Sequence, residues 1–292
     1  MLESFHVQNF RALKDLKIEK TARINLIVGG NNVGKTTFLE AMHCALANAS
    51  DAGTLQTAFR RGITNAAQYG ASSVSNKASA AEFKALISGV EQTGTLNKTG
   101  VRGGSPTKEA SLAINVFPED AKLTTSYFGA VKKKKKKADL LATLQKFDSN
   151  IVDIDPSMIG TSTWELRVHT DAEEEVALDF MGQGFNRVLS MYCRIIASDK
   201  KIILIDEIEL GLHYESIPLV WEAIQRISVE KNIQFFATTH SWECILAASK
   251  VFEATPGEFQ VIRLERTEDN IKPVILSGDN LKFAIENHWE VR

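Results

Sequence analysis

A glycine-rich segment of this sequence combines the groups needed to bind a polyphosphate. Its members are Gly29, Gly30, Asn31, Asn32, Val33, Gly34, Lys35, Thr36 and Thr37. In the spacing GxxxxGK[ST], glycines let backbone N–H groups turn inward around a β-phosphate, and the following helix N-terminus adds positive potential. Lys35 would neutralise β- and γ-phosphate oxygens, Thr36 would bind Mg²⁺, and Thr37 would add a phosphate contact. An accidental glycine turn is the alternative, and the flanking patterns favour a nucleotide site over it.

Two adjacent carboxylates, Asp206 and Glu207, follow the apolar run at 201–205. A buried strand would deliver Asp206 to the carboxyl edge of a sheet, where it would hold Mg²⁺ through water, while Glu207 would polarise an attacking water. An Asp-Glu pair after an apolar run is often only a strand end that meets solvent. The phosphate loop earlier in the chain favours the catalytic interpretation.

A histidine, His240, follows another apolar run at 234–238. Its imidazole would be suited to sensing a γ-phosphate or to holding the attacking water. A lone histidine at a strand end is usually structural, so this prediction depends on the phosphate loop and the two acids.

The elements that must position these residues follow from hydrophobic periodicity. Residues 24–28 are apolar and rich in β-branched side chains, which predicts a buried strand, and residues 35–49 have apolar side chains at helical spacing. Beyond residue 151, short strands and helices alternate. This order predicts an α/β fold with a mainly parallel sheet and helices on both faces, together with an N-terminal antiparallel β portion.

Residues 50–150 are interpreted as an inserted lateral subdomain. Between 66 and 108 the composition shifts to Ala, Ser, Thr, Gly and Asn, which predicts the weakest order in the chain. Strands are predicted over 111–117 and 123–128, and a helix over 138–147.

The charge of the chain is divided unevenly along its length. The net charge is −2, but residues 1–137 hold 20 Lys and Arg against 10 Asp and Glu. Six of these positive charges form one run, Lys132–Lys137. Such a run is most often a solvated, mobile segment, and the alternative is a surface that attracts DNA or an acidic protein.

The composition excludes several classes of protein. With 292 residues, 44% of them hydrophobic and 24% charged, the chain is neither disordered nor collagen-like. The three cysteines form no CxxC pair, so neither a disulfide framework nor a zinc site is expected, and a reducing cytoplasm fits best. We expect no membrane association, because the sequence has no secretory pattern and no apolar run of membrane-spanning length.

Four segments together resemble the ABC-type ATPases of the SMC, RecF and OLD group. They are Asn31 within the phosphate loop, the opening FHVQNFRALK at 5–14, DEIELGLH at 206–213 and THS at 239–241. The resemblance covers nearly the whole chain and implies an ABC-type P-loop ATPase that uses ATP and Mg²⁺. Its domain would be formed by residues 1–49 and 151–292, with the subdomain at 50–150 between them.

The resemblance also implies a site shared between subunits. In this group the nucleotide lies between the phosphate loop of one subunit and a signature loop of another. The candidate loop is FMGQGFNR at 180–187, in which Gly182, Gln183 and Gly184 would approach a γ-phosphate in trans. It departs from LSGGQ at Phe180 and Met181, and a helix N-terminal glycine turn is the simpler alternative. His213 would lie in the D-loop at the interface of a head-to-tail dimer or larger ring.

Segments that the group often carries have no counterpart here. The sequence ends about fifty residues after His240, too short for a TOPRIM nuclease domain, and it contains no long heptad run for a coiled-coil arm. The chain therefore looks like the ATPase subunits of the PARIS anti-phage defence system. This resemblance implies a separate effector such as a TOPRIM nuclease, released by a phage trigger such as an acidic DNA mimic.

Two other functions stay open. A RecF-like repair ATPase would show DNA-stimulated hydrolysis and would bind DNA through the basic first half. A transporter ATPase fits less well, because the LSGGQ sequence and a clear Q-loop are missing.

Overall fold

The computed structural model describes residues 1–46, 72–75, 77–100, 102–104, 111–114, 121–159, 163–172 and 175–287. In chain order its strands and helices are β1 (Leu2–Phe10), β2 (Leu13–Ile18), β3 (Ile24–Val28), α1 (Lys35–Leu46), β4 (Ala80–Ile87), β5 (Val90–Asn97), β6 (Arg102–Gly104), β7 (Ser111–Ile114), α2 (Ala121–Lys133), α3 (Lys137–Leu144), β8 (Ile151–Ile159), β9 (Thr163–Thr170), β10 (Glu175–Ala177), α4 (Gln183–Ala197), β11 (Ile202–Ile205), α5 (Ile217–Lys231), β12 (Gln234–Thr238), α6 (Trp242–Val251), β13 (Phe259–Arg266), β14 (Ile271–Ser277) and α7 (Gly278–Glu286).

The chain divides into two compact units. The first unit contains Met1–Asn115, Lys200–Ile208 and Gln225–Arg292, and the second contains Val116–Asp199 and Glu209–Ile224. Each β-sheet lies within one of the two units.

The first unit contains a five-stranded antiparallel sheet in the order β2-β1-β4-β5-β6. In β4 the buried residues alternate with exposed or half-buried ones, as expected for a strand with one face on the core. A two-residue turn joins β4 to β5, and both Ser88 (φ 50°) and Gly89 (φ 77°) have the positive φ angles that match the twist of a tight hairpin. The predicted antiparallel β portion is therefore confirmed.

The first unit also contains a six-stranded sheet, in the order β14-β13-β3-β12-β11-β7. All its neighbouring pairs are parallel except β13 with β14. Every residue of β3, β11 and β12 is buried, which is the pattern of central parallel strands covered on both faces. The predicted α/β class and mainly parallel sheet are confirmed.

Helix α1 joins the two sheets into one core. It contacts β1, β4 and β5 of the antiparallel sheet and β7, β11 and β12 of the parallel one. Phe38 of α1 packs edge-on against Phe5 of β1, with 5.7 Å between ring centroids. Because α1 begins with the last residues of the phosphate loop, this core fixes the direction in which the loop enters the helix.

The second unit contains a three-stranded antiparallel sheet in the order β10-β9-β8. Helix α2 contacts α4 and β9, and α3 contacts α4 and β8. The strand predicted over 123–128 is wrong, because this segment lies inside α2. Its buried residues Thr124, Phe128 and Val131 are spaced by four and three positions, which is the helical period.

The observed division differs from the predicted subdomain at 50–150. Strands β4, β5 and β7 belong to the sheets of the first unit, and the second unit extends to Asp199. The weak order predicted for 66–108 is wrong for the β4–β5 hairpin, whose core face is formed by small or isolated apolar side chains such as Ala81, Phe83 and Ala85. Within 66–108, residues 66–71, 76, 101 and 105–108 lie outside the described residues.

Candidate functional site

The phosphate loop connects β3 to α1 in a conformation that needs its glycines. Gly29 has φ +141°, and a Cβ atom there would lie 2.6 Å from the carbonyl oxygen of Leu264 in β13. Gly34 has φ +102°, and Asn32 has φ 58°. Positive φ angles are strained for most side chains, and asparagine is among the residues that tolerate them best. The turn that the sequence predicts is therefore present.

Lys35 lies folded back over the start of this loop. Its Nζ donates to the carbonyl oxygens of Gly29 (2.7 Å) and Gly30 (3.0 Å), and the residue is only 5% exposed. A lysine ammonium this well buried needs such acceptors to offset its desolvation. The charge is held beside the loop, where phosphate oxygens would meet it.

One carboxylate oxygen connects the phosphate loop to the acidic strand. Asp206 Oδ1 accepts from Thr36 Oγ1 at 3.1 Å and from Thr238 Oγ1 at 2.6 Å, and Asp206 is 5% exposed. The Thr238 hydroxyl in turn accepts from the backbone N–H of Glu207 at 2.8 Å. The parallel register of β11 and β12, with Ile205 opposite Ala237, places Asp206 and Thr238 side by side.

The residues at this oxygen fit Mg²⁺. A carboxylate and a hydroxyl are the hard oxygen donors that this ion takes from proteins, while nucleotide phosphates and water supply the remaining ligands. Thr36 and Asp206 would hold the ion. Within the described parts of the chain, no group of three or more His, Cys, Asp or Glu side chains is placed to bind a metal by itself.

The two predicted catalytic residues lie at the ends of adjacent strands. Glu207 is half-buried and has φ 46°, a positive angle that turns the chain immediately after Asp206. His240 is exposed just beyond β12. Between them, Thr239 donates its N–H to the carbonyl oxygen of Ile27 in β3 at 3.1 Å. The acidic strand, the histidine strand and the phosphate-loop strand thus end at one edge of the sheet.

Two residues of this region, Thr238 and Arg11, were not predicted from the sequence to have a role. Thr238 bridges both acids, and only the strand pairing reveals this role. Arg11, at the β1–β2 turn, forms an ion pair with Glu40 of α1, one helical turn after Thr36. A signal for this pair was present, because Glu40 interrupts an apolar helix face and a buried carboxylate needs a cation.

The candidate signature loop lies in the second unit. Gly182 precedes α4 with open space where a Cβ would be, whereas a Cβ on Gly184 would lie 2.7 Å from the carbonyl oxygen of Gly211. Gln183 is exposed at the first position of α4. The contact at Gly184 brings the loop against the segment that leads to His213, which is exposed and lies 4.4 Å from Tyr214 between ring centroids.

The lysine run is mostly paired within the second unit. Four of its six lysines bind acids: Lys132 binds Asp155, Lys134 binds Asp199, Lys136 binds Asp139, and Lys137 binds both Asp153 and Asp155. Lys134 Nζ also donates to the carbonyl oxygens of Ile196 and Ala197 at the end of α4, at 2.9 and 3.1 Å. The run therefore has a structural role at the ends of helices, rather than being a free segment.

No helix of the described residues is long and apolar enough to cross a membrane.

Comparison with known proteins shows a match to a family of ATPases. Residues 1–99 and 108–245 match the AAA ATPase domain family. Among solved structures, the SmcHead bound to the C-winged helix domain of ScpA has a TM-score of 0.63 at 15% identity, covering 94% of this chain and 98% of that one. The SMC head domain from Thermotoga maritima has a TM-score of 0.55 at 14% identity, with the same coverages. At these identities the likeness is one of fold.

Curated relatives match shorter stretches. An ATP/GTP phosphatase of Helicobacter pylori is 32% identical over 149 residues, 49% of this chain and 40% of that protein. The DNA replication and repair protein RecF of Protochlamydia amoebophila is 44% identical over 45 residues, 15% of this chain and 12% of that protein. The chain thus spans less than half the length of either relative.

Proposed function

The chain belongs to the AAA ATPase domain family and folds as an ABC-type ATPase of the SMC and RecF group, and from this premise we propose that it is a regulatory ATPase controlling a separate effector protein. It hydrolyses ATP to ADP and phosphate. Following the resemblance to PARIS, the effector is a nuclease such as a TOPRIM protein, held inactive until a phage-encoded trigger is met. The three cysteines are buried and form no disulfide with one another, as suits a protein of the reducing cytoplasm.

The observation that carries the ATPase assignment is the shared oxygen of Asp206. Thr36 from the phosphate loop and Thr238 from the neighbouring strand meet there, so the groups that would hold Mg²⁺ lie side by side. Mg²⁺, when bound, would neutralise charge on the β- and γ-phosphate oxygens. Lys35 supplies a second positive charge, Glu207 orients and deprotonates the attacking water, and His240 holds the γ-phosphate side of the site.

Exposed apolar side chains near the signature loop support association with a second copy of the chain. Phe180 is 85% exposed, and Leu210 and Tyr214 are 43% and 61% exposed. Large apolar groups at this exposure are costly in a monomer and are typical of protein interfaces. Gly182 leaves backbone accessible at the start of α4, where a phosphate of another subunit's nucleotide would bind. The proposed assembly is a head-to-tail dimer or larger ring.

A separate protein partner is supported by the fold comparison. The SmcHead structure, which shares this fold, was solved with a domain of another protein, ScpA, bound to it. By analogy with that structure, we propose that this chain also has a surface that binds a protein partner. The proposed effector would occupy such a surface on this chain.

A RecF-like DNA-repair ATPase is the second candidate, favoured by the short match to RecF. It would need a basic surface for duplex DNA. The lysine run offers less of this charge than its sequence suggests, because four of its lysines bind acids of their own unit. We therefore rank restraint of an effector above DNA repair.

The test is purification of tagged Glu207→Gln protein from its native operon in ATP and Mg²⁺. This variant should bind ATP but hydrolyse it at least about 100-fold more slowly, because the general base is lost, and should accumulate as a closed oligomer. Lys35→Ala, which should bind no nucleotide, is the matched control. Mass spectrometry and size-exclusion chromatography identify what remains bound and in what ratio.

A nuclease-like protein in fixed ratio with Glu207→Gln, and absent from Lys35→Ala, would support the restrained-effector function. Recovery of nucleic acid alone, released by salt, would favour the repair function instead. Hydrolysis by Glu207→Gln at the wild-type rate would overturn the catalytic assignment.

A further inference from the structure

The phosphate loop is contacted by a residue that lies outside the sequence motif, Arg266. Arg266 is the last residue of β13, and its Nη2 donates to the carbonyl oxygen of Asn32 at 2.7 Å. Strand β13 pairs in parallel with β3, with Arg263 opposite Val28. The chain beyond Arg263 therefore runs beside the loop that follows β3, and Arg266 reaches the loop from that side.

The acceptor belongs to a residue with a left-handed backbone conformation. Asn32 has φ 58°, a region that asparagine tolerates better than most residues. Lys35 already binds the carbonyl oxygens of Gly29 and Gly30. Arg266 binds a third carbonyl oxygen, two residues further along, so two cationic side chains together hold the carbonyl groups of the loop.

Holding this carbonyl also sets the direction of a donor. In a trans peptide the C=O and N–H groups point in opposite directions, and the described residues contain no cis peptide bond. Binding of the Asn32 oxygen by Arg266 therefore turns the N–H of Val33 away from Arg266. Phosphate binding by such a loop depends on the direction of its backbone N–H groups, so fixing one peptide plane lowers the reorganisation that binding requires.

We propose that Arg266 is a positioning residue for the nucleotide, which fixes the Asn32–Val33 peptide of the phosphate loop and thereby raises nucleotide affinity. The proposal rests on the nucleotide site of the proposed function and adds a residue to it. Arg266 acts through the loop and not on the reacting atoms. Its loss should therefore raise Kd and KM and leave kcat unchanged.

The test compares Arg266→Ala and Arg266→Lys with Lys272→Ala. Lys272 is an exposed cation of β14, the strand paired with β13, and it controls for a general loss of positive charge. Affinity for ADP and for ATP with Mg²⁺ is measured by calorimetry, together with KM, kcat and the thermal midpoint without nucleotide. Arg266→Ala should weaken binding about tenfold, as expected for one charge-assisted hydrogen bond. Arg266→Lys should recover part of the loss, and Lys272→Ala should lie within about twofold of wild type.

Binding by Arg266→Ala within twofold of the wild type would overturn the proposal. So would an equal loss in Lys272→Ala, or a fall in kcat as large as the fall in affinity. A wild-type protein that bound no nucleotide would overturn the proposed function as well, whereas normal wild-type binding with an unaffected Arg266→Ala overturns only the assignment of Arg266.

Discussion

At the scale of single residues, the site is organised around one oxygen atom, Oδ1 of Asp206. Thr36 and Thr238 donate to it, and Thr238 also accepts the N–H of Glu207. The hydroxyl of Thr238 therefore acts as both donor and acceptor. It links Asp206, which is expected to hold Mg²⁺, to Glu207, which is expected to activate water. A hydroxyl in this position holds the carboxylate of Asp206 and the backbone of Glu207.

Replacement of Thr238 by valine should slow ATP hydrolysis more than it weakens ATP binding. Valine keeps the shape but leaves the Glu207 N–H without its acceptor, and a lost buried hydrogen bond of this kind should lower kcat by about 10- to 100-fold. Thr238→Ser keeps the hydroxyl and is the matched control. Steady-state hydrolysis and nucleotide titration measure the two effects. Equal kcat values for Thr238→Val and wild type would show that Thr238 has no positioning role.

At the scale of elements, the lysine run connects helices α2, α3 and α4 and strand β8 of the second unit. Lys132 at the end of α2 and Lys137 at the start of α3 both bind Asp155 of β8, and Lys134 binds the end of α4. Six consecutive like charges would repel one another in a free segment. Pairing with acids of β8, with Asp199 beyond α4 and with carbonyl oxygens at the end of α4 allows them to form the α2–α3 junction.

This junction should make stability depend on pH. Burial raises the pKa of Asp155, but the hydrogen bonds from Lys132 and Lys137 outweigh burial, so the pKa lies below its ordinary value of 3.8. Burial lowers the pKa of Lys137, but hydrogen bonds to Asp153 and Asp155 outweigh it, so that pKa lies above 10.5. The stabilisation is therefore present between about pH 4 and pH 10.5 and is lost as pH falls through the pKa of Asp155 in the folded state.

Lys137→Met should accordingly lower the free energy of unfolding by about 0.5–1 kcal/mol at pH 7, the range for partly exposed ion pairs. The difference from wild type should shrink as pH falls below about 4, where Asp155 takes up a proton. Lys133→Met is the control, because Lys133 is exposed and makes no ion pair with any residue that the structure describes. Urea unfolding from pH 3 to pH 8 measures both. A difference that did not change with pH would contradict the ion-pair explanation.

At the scale of the whole molecule, the predicted catalytic groups and the candidate signature loop belong to different units. The phosphate loop, Asp206, Glu207 and His240 lie in the first, and Gly182 and Gly184 lie in the second. If hydrolysis needs a signature loop from another copy of the chain, activity per chain must rise with protein concentration. Among the large apolar side chains that the structure describes, Phe180 is the most exposed, at 85%, and it is the candidate for that contact.

Phe180→Ser should weaken self-association by at least about tenfold, since burying a phenylalanine contributes about 1.5–3 kcal/mol. ATPase activity per chain should then reach its plateau only at correspondingly higher protein concentration. Val152→Ser, at another exposed apolar position of the second unit, should behave as wild type. Activity is measured over a concentration series, with sedimentation of both variants in the Glu207→Gln background. An unchanged concentration dependence would place the contact elsewhere.

The sequence alone determined those features that depend on neighbouring residues. The phosphate loop follows from the spacing of Gly29, Gly34 and Lys35, because the turn and the helix N-terminus are formed by one continuous segment. The buried strands β3, β11 and β12 follow from short apolar runs, and the α/β class follows from their alternation with helices. The same local rules gave wrong results where apolar residues were small or sparse, as in β4 and α2.

Tertiary structure alone decided which distant residues meet. Strand order β13-β3-β12-β11 places Thr238 beside Asp206 and Arg266 beside Asn32. Pairing with acids of β8, with Asp199 and with carbonyl oxygens at the end of α4 makes the lysine run a structural junction. Local periodicity states that a strand exists, but the choice of its neighbours depends on packing of the whole core. For this reason the sequence predicts which residues carry the chemistry, while the residues proposed to position them are seen only in the folded chain.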